Sequence, residues 1–272
     1  MSLFDMTGKI AAVTGSTKGI GRGIARELVA AGARVVVSSR NQAQCDEYAA
    51  ELNREFGKGA EVARGIACDL GSLDSVKAFA EAAPKAFGGL DVLVSNAAEL
   101  AWFGSPENTP PEQFQRVLNA NIHHNMHLCT GVRQAMAARG GGSIVLIGSA
   151  AGAGSMPVIL SYSVSKAGVS HLAWNLAELM AADGIRVNCI APGLIRSYSS
   201  TEQMGDEGLN ASIPSIPLGR IGEPEDIAGA VIFLASRAGS FVTGETIIVD
   251  GGRTRLQGKE DSVTANVHNP PV

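Results

Sequence analysis

The 272-residue chain has little of several features that mark other classes of protein. Its four cysteines, Cys45, Cys68, Cys129 and Cys189, show no CxxC spacing, so we expect free thiols in a reducing compartment rather than disulfides or a zinc site. Aromatic residues make up only 5% of the chain. No apolar run approaches the roughly 18 residues that a membrane helix needs, so no membrane partner is expected.

An excess of basic charge is also missing. The formal net charge is −4, and the 22 lysines and arginines are scattered instead of forming a stripe that could neutralise phosphates. We therefore do not expect nucleic acid as a partner. The first nine residues lack the apolar core of a signal peptide, and the expectation is a cytoplasmic protein.

What the chain does contain is an alternation of short apolar strands with amphipathic helices. This pattern is typical of an α/β fold with a doubly wound parallel sheet and helices on both faces. Seven strands are predicted, at residues 10–14, 34–38, 61–67, 92–95, 143–148, 186–190 and 246–249. Helices are predicted at residues 20–31, 42–56, 72–87, 111–139, 161–182 and 224–236.

No linker interrupts this series, which predicts a single domain over residues 1–252. Two segments depart from the pattern. Residues 194–217 form a long excursion after a strand end, where sheets of this kind bind ligands. Residues 253–272 are polar and lack apolar periodicity, and we expect them to form an extended C-terminal arm.

The first predicted strand runs into the glycine-rich segment Thr14-Gly-Ser-Thr-Lys-Gly-Ile-Gly21, and a helix follows. Glycines at 15, 19 and 21 allow a tight turn, a close backbone approach to a pyrophosphate and a helix N-terminus aimed at negative charge. A glycine trio alone is weak evidence, but its position between a strand and a helix predicts a dinucleotide site.

The end of the second strand indicates which dinucleotide. It reads Val37-Ser38-Ser39-Arg40, with no carboxylate to hold the ribose hydroxyls, and Lys18 adds a second cation. Cations and hydroxyls suit a 2′-phosphate, which favours NADP(H) over NAD(H), although both cations could be solvated surface charges. Asp69, after the third strand, could bind the adenine amino group or cap the next helix.

Tyr162 and Lys166 lie four residues apart, and Ser149 precedes them at the end of the fifth strand. An ammonium one helical turn away, together with the positive charge of a cofactor, would lower the pKa of the phenol and make it a proton carrier. This predicts hydride transfer coupled to proton transfer at a carbonyl or alcohol carbon. The alternative is that Tyr162 is only a core aromatic.

With these residues assembled, the chain resembles the short-chain dehydrogenase/reductase superfamily, in its single-domain, Rossmann-fold branch. The resemblance covers residues 9–252 and rests on the glycine segment, Asn96-Ala97-Ala98, Tyr162 with Lys166, Pro192-Gly193 and the closing segment 244–252. The usual Asn-Asn-Ala-Gly of the family reads Ser95-Asn96-Ala97-Ala98 here. Short segments of the chain are similar to the corresponding segments of NADPH-dependent carbonyl and retinal reductases and of 3-oxoacyl-carrier-protein reductases. The Ser-Lys-Leu-like ending of peroxisomal relatives is not present.

The resemblance implies a role for each matching residue. Tyr162 would be the acid/base, Lys166 would lower its pKa and hold the nicotinamide ribose, and Ser149 would orient the substrate oxygen. Asn121 would keep a water in the proton path to Lys166. The implied cofactor contacts are Gly15, Thr17, Lys18, Gly19, Ile20, Gly21, Ser39, Arg40, Asp69, Leu70, Asn96, Ala97, Tyr162, Lys166, Pro192, Gly193, Ile195 and Ser197.

The expected reaction is the reversible reduction of a neutral, moderately hydrophobic ketone or aldehyde by NADPH, within a homotetramer. Reduction of carrier-linked 3-oxoacyl groups and a non-catalytic nucleotide-binding module are the alternatives. The apolar residues expected to line the substrate site are Trp102, Phe103, Met156, Val158, Ile159, Leu160, Tyr198, Met204 and Leu209. His123 and His127 are one turn apart, but no third ligand is near in sequence, so no metal site is expected.

Overall fold

The computed structural model describes residues 2–100 and 103–256. Within them, seven parallel strands form one sheet in the order β3-β2-β1-β4-β5-β6-β7, which confirms the predicted doubly wound α/β fold. The strands are β1 (Ile10–Val13), β2 (Arg34–Val37), β3 (Ala63–Gly65), β4 (Val92–Ser95), β5 (Gly142–Ile147), β6 (Ile185–Pro192) and β7 (Thr246–Val249). The helices are α1 (Gly19–Ala30), α2 (Gln42–Phe56), α3 (Leu73–Ala86), α4 (Pro111–Leu118), α5 (Asn125–Ala137), α6 (Leu160–Met180), α7 (Tyr198–Ala211), α8 (Pro224–Ala235) and α9 (Arg253–Leu256).

The sheet is buried on both faces because successive strand residues point to opposite sides. In β4, Leu93 packs into the cluster formed with α3, α5 and α6, whereas Val92 and Val94 pack into the cluster formed with α1, α2 and α8. Each such side chain contributes about 1.5–3 kcal/mol when it is fully buried. Apolar strands therefore bring helices to both faces.

The strand order reverses between β1 and β4. The chain leaves β1 towards β2 on one side and reaches β4 on the other, so a crevice opens at the carboxyl ends of these two strands. The glycine segment follows β1, Arg40 follows β2, Asn96 follows β4 and Ser149 follows β5. The fold thus collects the predicted site residues at one edge of the sheet.

The helix predicted at residues 111–139 is divided. A π-helical segment, Asn119–His124, separates α4 from α5, and within it the Asn121 side chain donates to the Glu99 carbonyl. Apolar periodicity alone did not reveal this segment.

The excursion at residues 194–217 contains α7, which the sequence analysis missed. Ser197 and Ser200 form a reciprocal capping box at its start, and Gly205 kinks it with φ +66°. The first residues of the predicted C-terminal arm form the short α9, and residues 257–272 lie outside the described residues. No helix in the described ranges is long and apolar enough to cross a membrane.

Candidate active site

The glycine segment after β1 has the conformation that its composition predicts. Gly15 and Gly19 have φ of +63° and +54°, which other residues rarely adopt. A Cβ on Gly21 would lie 2.3 Å from the Gly15 carbonyl oxygen and 2.5 Å from Asn96 Nδ2. Only glycine at position 21 therefore allows the first turn of α1 to pack this closely.

The N-terminus of α1 is free of protein caps. Its N-cap residue, Lys18, makes no side-chain capping bond, and the first turn carries no acidic residue. The N–H groups of that turn can bind an anion such as a pyrophosphate. Thr17, just before the turn, and Ile20, within it, are both half-buried. The Lys18 ammonium lies 4.3 Å from the ring centroid of Tyr198 at the start of α7.

Asn96 and Ala97, at the end of β4, hold the glycine segment in place. Both backbone N–H groups donate to Thr14 Oγ1, at 3.0 and 3.1 Å. Asn96 Nδ2 donates to the Thr14 carbonyl at 2.9 Å and to the Gly15 carbonyl at 3.1 Å. These residues thus position the loop, and their implied contact with adenosine stays a prediction.

At the end of β2, the two serines differ. Ser38 is fully buried: its carbonyl accepts from the Ser16 N–H at 2.7 Å, and its N–H donates to Ser16 Oγ at 2.8 Å. It therefore supports the glycine segment and presents no hydroxyl to a ligand. Ser39 is half-buried, and its backbone N–H donates to Cys45 Sγ at 3.0 Å. Arg40 is exposed and has no ion pair within residues 2–100 and 103–256.

Asp69 does not cap α3, which removes one of its two predicted roles. The capping residue is Ser72, whose side chain accepts from Ser75 N–H, while Asp69 Oδ1 accepts from Gly71 N–H at 2.9 Å. The exposed Asp69 therefore stays a candidate for the adenine contact. Leu70 is buried beside it, and its carbonyl oxygen lies 2.6 Å from His124 Nδ1 of the π-helical segment.

Ser149, Tyr162 and Lys166 converge at the end of β5. Ser149 is the second residue after the strand, and its Oγ accepts from the Ala151 N–H at 3.2 Å. Lys166 is one turn beyond Tyr162 on α6, is only 2% exposed, and donates from Nζ to the Ile147 carbonyl at 2.7 Å. This bond holds the ammonium 5.4 Å from the centroid of the Tyr162 ring.

Burial dominates the electrostatics of these groups. It raises the pKa of Tyr162 above its ordinary value, and the nearby Ser149 side chain offsets this only in part. It lowers the pKa of Lys166 to about 8, against a smaller opposing effect of Cys189. The sequence predicts a lowered Tyr162 pKa, and that lowering depends also on the positive charge of a bound cofactor. In the protein by itself, desolvation is the larger effect and the pKa is raised.

Asn121 lies in the π-helical segment and is completely buried. Its Oδ1 accepts from Glu99 N–H at 2.8 Å, and its Nδ2 donates to the Glu99 carbonyl at 2.9 Å and to Ser165 Oγ at 3.0 Å. The side chain is therefore committed to protein partners. If Asn121 orients a water, its main-chain carbonyl is the group to do so.

The segment after β6 closes the other side of the crevice. Pro192 ends the strand, and the Gly193 N–H donates to the Val249 carbonyl at 2.9 Å. Ile195 is buried, and Ser197 caps α7. A Cβ on Gly19 would lie 3.3 Å from Ser197 Cβ, so the start of α7 lies directly against the glycine segment.

The chain is similar to known proteins over most of its length. A family model described as enoyl-(acyl carrier protein) reductase matches residues 15–254. Dehydrogenase/reductase SDR family member 4 of Bos taurus is 42% identical over 245 residues, which cover 90% of this chain and 86% of that protein. The chain belongs to the short-chain dehydrogenase/reductase family.

Solved structures agree. The Pseudomonas aeruginosa RhlG/NADP active-site complex is 33% identical, with a TM-score of 0.85 and coverage of 93% of this chain and 99% of that one. A 7α-hydroxysteroid dehydrogenase complexed with NADH and 7-oxo glycochenodeoxycholic acid is 35% identical, with a TM-score of 0.83 and coverage of 92% and 95%. The protein is thus a short-chain dehydrogenase/reductase oxidoreductase, of a family that uses nicotinamide cofactors.

Around this short-chain dehydrogenase/reductase site, several apolar side chains predicted to contact substrate are exposed: Phe103, Met156, Val158, Leu160, Tyr198 and Met204. Leu209 is not among them, because it is fully buried with Ile216 and Ile221 in a separate cluster beneath α7. Trp102 lies outside the described residues. The prediction that Leu209 lines the substrate site is therefore wrong.

His123 and His127 contact each other instead of facing a third ligand. Their Nε2 atoms are 3.2 Å apart, and the described part of the chain contains no group of three or more residues able to hold a metal ion.

Sequence reasoning missed the buried polar residues that support this site: Thr14, Ser95, Asn125 and Ser165. The available signal was the presence of serine and asparagine at positions where strand and helix patterns expect apolar residues. Asn125, for example, is 3% exposed and hydrogen bonded.

Proposed function

We propose that this protein is an NADPH-dependent carbonyl reductase that acts reversibly on neutral, moderately hydrophobic ketones or aldehydes. The observation that carries the proposal is the convergence of Ser149, Tyr162 and Lys166 at the end of β5. The Lys166 Nζ atom lies 5.4 Å from the centroid of the Tyr162 ring, and the Ser149 side chain is close enough to affect the Tyr162 pKa. This group lies at the carboxyl edge of the sheet, where folds of this kind bind ligands.

The chain's own residues fit a dinucleotide with a 2′-phosphate. The uncapped N-terminus of α1 provides free N–H groups for a pyrophosphate. Arg40 is exposed after β2, where the sequence offers no carboxylate for ribose hydroxyls, and Lys18 lies within the glycine segment. Because the solved relatives include an NADP and an NADH complex, these local residues carry the preference for NADP(H).

In the proposed mechanism, bound NADPH supplies the hydride that adds to the carbonyl carbon. The Tyr162 hydroxyl gives its proton to the carbonyl oxygen, which becomes the alcohol hydroxyl. Ser149 donates a hydrogen bond to the same oxygen, so developing negative charge meets placed donors. Lys166 and the Asn121 carbonyl would return a proton from solvent to Tyr162.

The exposed apolar side chains near the crevice support a hydrophobic substrate. Phe103 and Tyr198 are each 54% exposed, and Met156 is 39% exposed. Lys18, which lies against the Tyr198 ring, belongs to the glycine segment proposed for the cofactor. Arg196 is paired with Asp206 at 2.9 Å and with Glu223 at 3.5 Å, so it offers little attraction for an anionic substrate. We place the reaction in the cytoplasm, on a small molecule and in a homotetramer, with no nucleic acid or membrane partner.

A steady-state panel of ketones, aldehydes and alcohols with NADPH and with NADH tests the function. The expected result is a higher kcat/KM with NADPH and with hydrophobic neutral carbonyl compounds. Equal kcat/KM with both coenzymes would contradict the coenzyme assignment, and no turnover of any carbonyl or alcohol would contradict the enzyme assignment.

The second candidate is the reduction of carrier-linked 3-oxoacyl groups, because the matching family model is described as an acyl-carrier-protein reductase. An acidic carrier would require a basic rim. Here Arg133 pairs with Asp183 and Arg220 pairs with Asp226, so the first candidate is favoured. A carrier-linked 3-oxoacyl ester that is reduced far better than free ketones would reverse this ranking.

A further inference from the structure

Asn125 joins two elements of the site through its side-chain amide. The Ser95 hydroxyl, at the end of β4, donates to Asn125 Oδ1. Asn125 Nδ2 donates to the main-chain carbonyl of Asn121 at 2.8 Å. Ser95 and Asn125 are 2% and 3% exposed, so water cannot readily replace either partner.

The chain of hydrogen bonds continues into α6. Asn121 Nδ2 donates to Ser165 Oγ at 3.0 Å, and Ser165 Oγ donates to the Tyr162 carbonyl at 2.8 Å. Ser165 is fully buried and directly precedes Lys166. A continuous polar path thus runs from β4 to the turn of α6 that carries the proposed acid and its lysine.

At its other end, this path begins beside the cofactor loop. Ser95 is followed by Asn96, whose side chain and backbone hold Thr14 and Gly15. The path therefore connects the strand that supports the glycine segment with the helix that carries Tyr162. Its middle is the π-helical segment, a backbone form that often occurs at functional sites.

We propose that Asn125 is a positioning residue for the reduction proposed above. It fixes the direction of the Asn121 peptide and, through Ser165, the placement of Tyr162 and Lys166 relative to the end of β4. The inference rests on the proposed function for its catalytic consequence, although the positioning itself is a property of the fold.

Asn188 provides a matched control. It is also a completely buried asparagine with two backbone partners, since Nδ2 donates to the Val242 carbonyl at 2.9 Å and Oδ1 accepts from Glu245 N–H at 3.0 Å. Those partners lie between α8 and β7, outside the path through Asn125. The Asn188→Ala variant therefore loses a buried side-chain amide but keeps the hydrogen-bonded path through Asn125.

The experiment compares Asn125→Ala, Ser95→Ala and Asn188→Ala at equal folded fraction. Small displacements of reacting groups cost up to about 100-fold in rate, so Asn125→Ala should lower kcat about 10- to 100-fold. Coenzyme Kd and substrate KM should change by less than about 3-fold, because such a loss is confined to the transition state. Asn188→Ala should keep its kcat.

The pH profile of kcat gives the second readout. A displaced α6 moves Tyr162 away from the Ser149 side chain, which lowers its pKa. The limb assigned to Tyr162 should therefore move to higher pH in Asn125→Ala and not in Asn188→Ala. Ser95→Ala removes only one hydroxyl and should give a smaller effect of the same kind. It serves as the test if Asn125→Ala does not fold.

The inference is overturned if folded Asn125→Ala, or Ser95→Ala in its place, has the kcat and pH profile of the wild type. Failure of the proposed function is recognised separately, as absence of turnover by the wild type. In that case amide hydrogen exchange in α6 decides: faster exchange at Ser165 and Lys166 in Asn125→Ala than in Asn188→Ala supports positioning, and equal exchange refutes it.

Discussion

The two halves of the crevice are built differently. On the adenosine side, at the ends of β2 and β3, the candidate ligands Arg40 and Asp69 are exposed. On the catalytic side, near the ends of β4 and β5, Asn121 and Lys166 are buried, and each has a hydrogen-bond partner in the protein. The adenosine side presents charged side chains to solvent, whereas the catalytic side holds the Lys166 side chain in the interior.

This difference reflects the two tasks of the site. A phosphate can be bound by long, solvated side chains that adjust to it, because charge-assisted hydrogen bonds retain strength at a surface. Proton transfer requires groups held near their reacting positions before the substrate arrives. We therefore expect substitutions in the buried half to affect rate and stability, and those in the exposed half to affect coenzyme choice.

The largest expected effect is that of Tyr162→Phe, which removes the proposed proton donor. General acid catalysis contributes about 10²- to 10⁴-fold, so kcat should fall by that factor or more while NADPH binding persists. Tyr48→Phe is the matched control, because the Tyr48 hydroxyl is also buried but donates to the Arg22 carbonyl at 2.7 Å, away from Ser149. An undiminished kcat in Tyr162→Phe would show that Tyr162 is not the proton donor, and the contrast between the two sides of the crevice would lose its functional basis.

The next effect is the dependence of stability on pH that Lys166 causes. Its pKa is about 8 in the folded protein and 10.5 as the ordinary value, so between these pH values the unfolded chain binds more protons and stability rises with pH. The burial penalty is fully present below pH 8. Because burial raises the pKa of Tyr162, an opposite contribution begins above about pH 10.

Urea unfolding at pH 7 and at pH 9.5 measures this penalty. The difference between wild type and Lys166→Met in the free energy of unfolding should change by about 2 kcal/mol over this range, because about 1.5 of the 2.5 pH units between pH 8 and pH 10.5 are crossed, at about 1.36 kcal/mol per unit. The exposed Lys77, substituted as Lys77→Met, should show no such change. A pH-independent difference for Lys166→Met would mean that the ammonium is not desolvated.

The smallest expected effect is that of Arg40→Ala, on the exposed side. Loss of a charge-assisted hydrogen bond to the 2′-phosphate should weaken NADPH binding roughly 10-fold and leave NADH binding unchanged, as measured by fluorescence titration of both coenzymes. Arg237→Ala, an equally exposed substitution beyond α8, should alter neither Kd. Equal weakening of both coenzymes would assign Arg40 to the common part of the dinucleotide.

Much of the exposed half could be predicted from the sequence. The position of Gly15, Gly19 and Gly21 between a predicted strand and a predicted helix indicates a tight strand-to-helix turn, and the absence of an acid before Arg40 can be read directly from the sequence. The pairing of Tyr162 with Lys166 was also predictable, because residues four apart share a helix face. These are local relations along the chain.

The supporting contacts were not predictable in this way. Ser72 rather than Asp69 caps α3, Asn96 holds the glycine segment, and Lys166 is held by the Ile147 carbonyl. The contacts of Asn96 and Lys166 join separate elements, so their distances depend on how those elements pack. The cap of α3 is a local contact, but Asp69 and Ser72 are both able to cap a helix and the sequence does not distinguish them. The start of α7 was hidden because its signal is the capping pair at Ser197 and Ser200, with little apolar periodicity.

The sequence by itself determined the order of strands and helices, the turn that faces a phosphate and the residue types able to transfer a proton. Only the tertiary structure decided how those residues are held: which carbonyl orients Lys166, and how Asn125 connects β4 to α6 through Asn121. The reason is physical. Backbone preferences and apolar periodicity act over a few neighbouring residues, whereas a buried hydrogen bond depends on whichever polar group the packed fold brings within about 3 Å.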